Sequence, residues 1–200
     1  MRHLLAAILC LALPTAATAQ PAKGKDYLSL VEVGTDPDTG ARKASSVNAA
    51  EVKEKRGYSP GAESALVFWV EARKPESGPA QVILAGERLR YIVSSEAPKQ
   101  KEFGPWDPPE PAYVGSPWQD ADIRYRGSRV ECISDAFWCW QTWSIEIVLP
   151  DAAIRSMVTN PKKKDLPVSL SKRRRVEWRT PREELIATLD KLGVLAEFTQ

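Results

Sequence analysis

The chain has 200 residues with 28 lysines and arginines against 26 aspartates and glutamates, a balance that excludes a bulk electrostatic binder of nucleic acid. Its one histidine is His3, which lies in the leader described next, so the rest of the chain has no Ser-His-Asp or Cys-His centre and no histidine-held zinc or iron. Acid–base work would fall to Asp, Glu, Lys or Tyr; there is no nucleophile motif and no cofactor loop, so no cofactor is expected.

Arg2 and His3 precede an apolar run over residues 4–13, Pro14 ends it, and Ala17-Thr18-Ala19 follows as a small-x-small site. That order predicts a signal peptide over residues 1–19, cleaved before Gln20. The run is about half the length of a membrane-spanning helix, so no transmembrane segment is expected after cleavage. Cys10 follows Leu9 and sits inside the run, unlike a lipoprotein cysteine. Loss of Arg2 leaves 27 basic and 26 acidic residues. The expected location is periplasmic or secreted. Residues 20–25 read as a polar linker and residues 26–200 as one globular domain.

The sixteen prolines and eleven glycines predict many short elements. Residues 27–33 alternate as a strand, Asp36-Pro37-Asp38-Thr39-Gly40 is a turn, and residues 41–47 return as a second strand. The turn resembles a calcium loop, but its glycine is one position early and Val47 stands where the bidentate glutamate belongs. Residues 49–56 read as a loop or short helix. Residues 65–72 carry Leu66, Phe68 and Val70 on one face and Val67 and Trp69 on the other, which predicts a central strand covered on both sides. Residues 81–84, Gly86 and residues 89–93 read as another hairpin. Residues 99–118 are rich in proline, including Gly115-Ser116-Pro117-Trp118, and predict an extended loop, functional or pinned to the surface.

Residues 128–133 and 138–149 read as the next two strands. With Asp135-Ala136 as their turn, Cys132 faces Cys139 at a Cα separation of about 4.5–5.5 Å, which suits a disulfide. A turn of another length shifts this register. The alternative is a redox-active pair, against which stand the hairpin setting and a spacing other than C-x-x-C. Trp138 and Trp140 alternate with Cys139 and so take the opposite sheet face, while Trp143 has the core's parity together with Ile145, Ile147 and Leu149. Trp138 and Trp140, extended by Trp106, Trp118 and Tyr113 of the proline-rich loop, form a candidate ligand face for sugar rings or a partner. The competing and favoured reading is that the loop packs on this face, because tryptophan is usually buried.

Pro150 and Asp151 open a helix predicted near residues 151–158. Lys162, Lys163, Lys164, Lys172, Arg173, Arg174 and Arg175, with Arg179 and Arg182 nearby, form a candidate anion-binding segment for anionic lipid or cell-wall polymer. A solvated loop with a charge-defended edge strand is the blander and favoured reading. Val168, Leu170, Val176 and Trp178 lie in strand candidates. Thr180 as cap, Pro181 at the first position and Glu183 three after the cap predict a helix near residues 181–192, with a stripe of Leu185, Ile186, Leu189 and Leu192 and Gly193 as its stop. The runs at residues 145–150 and 176–181 both read strand, proline, helix, and predict two similar corners.

The expected fold class is mainly β, with α+β as the alternative: an antiparallel β-sandwich or partly open barrel with the two helices just named. Ser169-Leu170-Ser171-Lys172 matches S-x-x-K, but the partner motifs of that enzyme class are missing. Asp120, Asp122, Glu131 and Asp135 lie near tryptophans, as glycosidase carboxylates do. The leading expectation is a non-enzymatic binding or accessory protein of the bacterial envelope. Its partner would be an envelope polymer, anionic lipid or periplasmic protein, and not nucleic acid. The alternatives are a carboxylate-based hydrolase or lyase of envelope polysaccharide, and a periplasmic inhibitor or assembly partner of another protein.

Overall fold

The computed structural model describes residues 26–53, 64–93, 112–132, 138–170 and 177–200. The leader, the linker, Trp106, Asp135 and the Lys172–Arg175 run lie outside these residues. Among the described residues the fold is mainly antiparallel β, with strands β1 (Val31–Thr35), β2 (Arg42–Ser46), β3 (Ala50–Lys53), β4 (Ser64–Lys74), β5 (Gln81–Val93), β6 (Ala112–Val114), β7 (Gln119–Ala121), β8 (Ile123–Cys132), β9 (Trp138–Val148), β10 (Asp165–Ser169) and β11 (Glu177–Pro181). Helix α1 (Asp151–Thr159) follows β9, and α2 (Arg182–Leu192) follows β11. The larger sheet runs β1-β2-β4-β5-β9-β8, with β3 also on β4; the smaller runs β11-β10-β6-β7.

The alternation of β4 explains its central place. Register brings Phe68, Gly86 and Ile145 into one row, and Val70, Leu84 and Ile147 into the next. These residues share a core with Val114, Leu166, Val168 and Trp178 of the smaller sheet and with Ile154, Met157, Leu185, Leu189 and Leu192 of the helices. Trp143, Ile145, Ile147 and Leu149 are all buried, as their parity requires. The two sheets meet where Phe68 stacks on Trp178, ring centroids 4.3 Å apart and planes 8° from parallel.

Several expectations change. Residues 81–93 are one strand, not a hairpin: a Cβ on Gly86 would lie 2.4 Å from the Phe68 ring and 2.6 Å from the Val67 carbonyl oxygen, so this glycine lets the Phe68 ring lie across β5 rather than making a turn. Ala50–Lys53 is a strand, not a loop or helix, because Ala50 to Lys53 pair with Phe68 to Ala65. Residues 112–118 are not irregular: Ala112–Val114 pairs with β10 and, across the tight turn at residues 115–118, with β7. The first predicted strand also starts late, after a 3-10 turn at Tyr27–Leu30 whose Leu28 amide is capped by the Asp26 carboxylate, 3.1 Å away.

Both strand-to-helix corners form alike. Pro150 (φ −63°, ψ 135°) opens α1, and Pro181 (φ −59°, ψ 138°) opens α2. Helix α2 starts one residue later than predicted, with Pro181 instead of Thr180 at the N-cap and no side-chain cap bond, because Thr180 and Pro181 are still paired with Leu166 and Asp165 in the sheet. Leu185, Leu189 and Leu192 face the core, Ile186 is half-buried, and Gly193 ends the helix in the left-handed region. Asp36 Oδ1 accepts the amides of Asp38 and Thr39 at 3.0 Å each, so the acidic turn is an Asx-stabilised hairpin turn. No helix among the described residues is long and apolar enough to cross a membrane.

Candidate functional site

A cleft of about 630 Å³ opens between the turn joining β6 to β7, one face of α1, and strands β10 and β11. The turn is built by Gly115. Its φ of 86° suits glycine alone, and its amide donates to the Pro167 carbonyl at 2.9 Å, closing the turn onto β10. This places half-buried Trp118 and Gln119 on one wall. Helix α1 supplies Ala152, Ala153, Ser156 and Met157, spaced so that they share one face. The small Ala152 and Ser156 one turn apart leave the space.

The third wall is the basic turn after α1. Its backbone is fixed: Lys162 N–H donates to Asn160 Oδ1 at 3.0 Å, Lys163 N–H to the Asn160 carbonyl at 3.1 Å, and Arg182 N–H to the Lys164 carbonyl at 2.9 Å. The Arg182 guanidinium donates to the Met157 and Val158 carbonyls at 2.7 and 2.9 Å. Arg182 therefore caps the C-terminal end of α1 and ties it to the start of α2, where a cation meets the negative end of the helix dipole.

The predicted basic segment thus divides. Lys163 and Lys164 line the cleft; Lys162 is exposed outside its lining. Lys163 Nζ donates to Ser156 Oγ at 2.6 Å, and Lys164 is exposed with no ion pair among the described residues. Arg179 also lines the cleft but is paired with Asp165 at 2.8 Å. With Glu177, the described residues of the lining carry three cations and two anions.

Of the predicted aromatic face, Trp118 is in the cleft. Trp138 and Trp140 pair with Val93 and Tyr91 at the start of β9 in the larger sheet, and their side chains lie outside what the structure describes. Buried Tyr113 pairs with Ser169 of β10 and with Asp120 of β7. The three described candidate carboxylates do not converge; Asp135 lies outside the described residues. Asp120 and Asp122 are exposed near the start of β8, and Glu131 lies toward its other end, roughly 25–30 Å along the strand. Cys132 and Cys139 are paired in register across β8 and β9, the position the turn reading gave them.

Sequence reading missed a buried ionic group on the outer face of the larger sheet. Arg73 meets Asp36 at 3.0 Å, Glu71 at 2.6 Å and Glu146 at 2.7 Å, and Glu71 also accepts the Ser45 hydroxyl at 3.0 Å. Burial works against the Arg73 charge, but the bonds from Glu146 and Glu71 outweigh it and push its pKa up. Burial likewise opposes the Asp36 carboxylate, and the Thr39 amide and hydroxyl, Arg73 and the Asp38 amide outweigh it and hold its pKa down. The alternation of acid and base at Glu71 and Arg73 on the outer parity of β4 was the available signal. Every charge here has a partner, so the group reads as a clasp between the β1–β2 turn and the sheet.

Comparison with protein families, with curated proteins and with solved structures found no match for this chain.

Proposed function

We propose that the chain is exported through its cleaved leader and acts as a non-enzymatic binding protein of the bacterial envelope, with the cleft beside Trp118 as its ligand site. The observation that carries this reading is the meeting of Trp118, Lys163 and Lys164 on a backbone held by Gly115, Asn160 and Arg182. The cleft's volume of about 630 Å³ is ordinary for a small-ligand site. The leader pattern supports export, and the absence of histidine after cleavage together with the scattered carboxylates argues against hydrolysis. Export into an oxidising compartment also favours a Cys132–Cys139 disulfide, since facing residues have the Cα separation that such a bond needs.

The test is thermal unfolding of the mature protein with peptidoglycan fragments, oligosaccharides, lipopolysaccharide and anionic lipid, at low and high salt. A ligand at about a hundred times its Kd stabilises by roughly 2.7 kcal/mol. A shift with one class that Trp118→Ala abolishes supports the cleft; no shift with any of them overturns the reading. N-terminal sequencing of the secreted protein should begin at Gln20. Alkylation without reductant should label neither Cys132 nor Cys139.

A further inference from the structure

We infer that the ligand of this cleft is an anionic saccharide, a sugar ring bearing a carboxylate or phosphate group, with the ring on Trp118 and the acid group at Lys163 and Lys164. This deepens the reading of the cleft as a binding site and rests on it.

Arg179 is already paired with Asp165, so among the described lining Lys163 and Lys164 stand against Glu177, and their excess of positive charge favours an acid group on the ligand. Lys163 is held by a hydroxyl instead of a carboxylate, so its charge is positioned without being neutralised. Ser156 Oγ accepts from Lys163, and its own hydroxyl hydrogen remains available to a ligand.

The rest of the lining selects the kind of anion. Ser116, Gln119 and Ser156 stand in it beside the charged groups, which disfavours an acyl chain. Half-buried Trp118 stands beside Ser116 and Gln119, so an aromatic wall adjoins neutral hydrogen-bonding groups. A sugar ring needs that combination: C–H groups for the aromatic wall and hydroxyls for the amide and serines. The basic turn is fixed through the Asn160 side chain and Arg182, so little ordering is required when the anion arrives.

The experiment is calorimetric titration of the full mature chain with four probes: a neutral galactose oligosaccharide, an oligogalacturonate, galactose 6-phosphate, and a peptide of alternating aspartate and serine. An acidic sugar should bind at least tenfold more tightly than the neutral one. Lys164→Gln, at an exposed site without an ion pair among the described residues, should lose about tenfold in affinity, the usual size of one charge-assisted hydrogen bond. Lys162→Gln, outside the lining, should bind as the parent does, and Trp118→Ala should weaken every sugar. Circular dichroism on each variant separates lost binding from lost fold. The uronate and phosphate arms identify which acid group is used. Equal binding of neutral and acidic sugars, indifferent to Lys164→Gln, overturns the ligand class and leaves the cleft as a site. Equal losses from Lys162→Gln and Lys164→Gln, or tighter binding of the peptide, also overturn it. If no sugar binds, this inference fails, and the wider panel of envelope ligands decides the fate of the cleft itself.

Discussion

Gly86 shows how much one missing carbon can decide. Its hydrogen lies where the Phe68 ring crosses β5, and that ring in turn stacks on Trp178 of the other sheet. Gly86→Ala should destabilise the protein by about 3 kcal/mol, since the Val67 carbonyl oxygen in its way is backbone and the Phe68 ring is held from its other side. Urea denaturation measures this, and wild-type stability would show that the ring has room to move. The outer-face clasp is the second sensitive point. Arg73→Met leaves Asp36, Glu71 and Glu146 without their shared cation and should cost about 3–5 kcal/mol at neutral pH. The Asp36 pKa is lowered in the folded state, so its contribution is present above the ordinary aspartate value of 3.8 and is lost as pH falls below it. Asp36→Asn should therefore flatten the acid limb of the stability curve, which denaturation at a series of pH values will read.

Helices matter here as fasteners between sheets. Helix α2 lies on β2 and β4, and its buried Glu184 accepts the Ser46 hydroxyl at 2.6 Å and the Asn48 amide at 2.9 Å. Burial, then the negative charge of Glu184 and Glu183, push the nearby Tyr27 phenol up. Glu184→Leu would strand two buried donors and should cost about 3 kcal/mol, read from the urea midpoint. At the other helix, Arg182→Met should loosen the C-terminal turn of α1 and, through it, Lys163 and Lys164. The expected result is a loss of about 1–2 kcal/mol and weaker ligand binding, though Arg182 touches no ligand. Ligand affinity unchanged in a folded Arg182→Met protein would show that the turn holds itself.

At the scale of the molecule, local patterns were legible and long-range ones were not. The stripe of Leu185, Leu189 and Leu192, the Gly193 stop and the Cys132–Cys139 register all depend on neighbours a few residues away, and sequence spacing is enough to read them. Strand β3 was hidden because Ala50–Lys53 is only four residues long, too short for its alternation to stand out, and exists through its pairing with β4. Gly86 mimicked a turn because sequence does not show which ring will cross it. For the cleft, Trp118, Lys163 and Lys164 were each conspicuous as residue types. Their meeting depends on β6 joining β10, Val114 beside Val168, a pairing between distant segments that no local signal announces.

The closing of the chain upon itself bears on when it can fold. Ser46 and Glu184, 138 positions apart, share a hydrogen bond. Near the C-terminus Glu197 grips Lys74 at 2.6 Å and the Ala80 amide at 3.0 Å. The Lys74 bond first, then the Ala80 amide, hold the Glu197 carboxyl pKa down. The first hairpin and the β4–β5 loop are therefore completed by segments synthesised much later. A nascent polypeptide must carry its exposed β4 and β5 surfaces until α2 and the 3-10 turn at Leu195–Phe198 emerge, and such long-range closure is slow. Under the export proposed above, that delay would keep the chain in the form that a channel for unfolded polypeptides accepts.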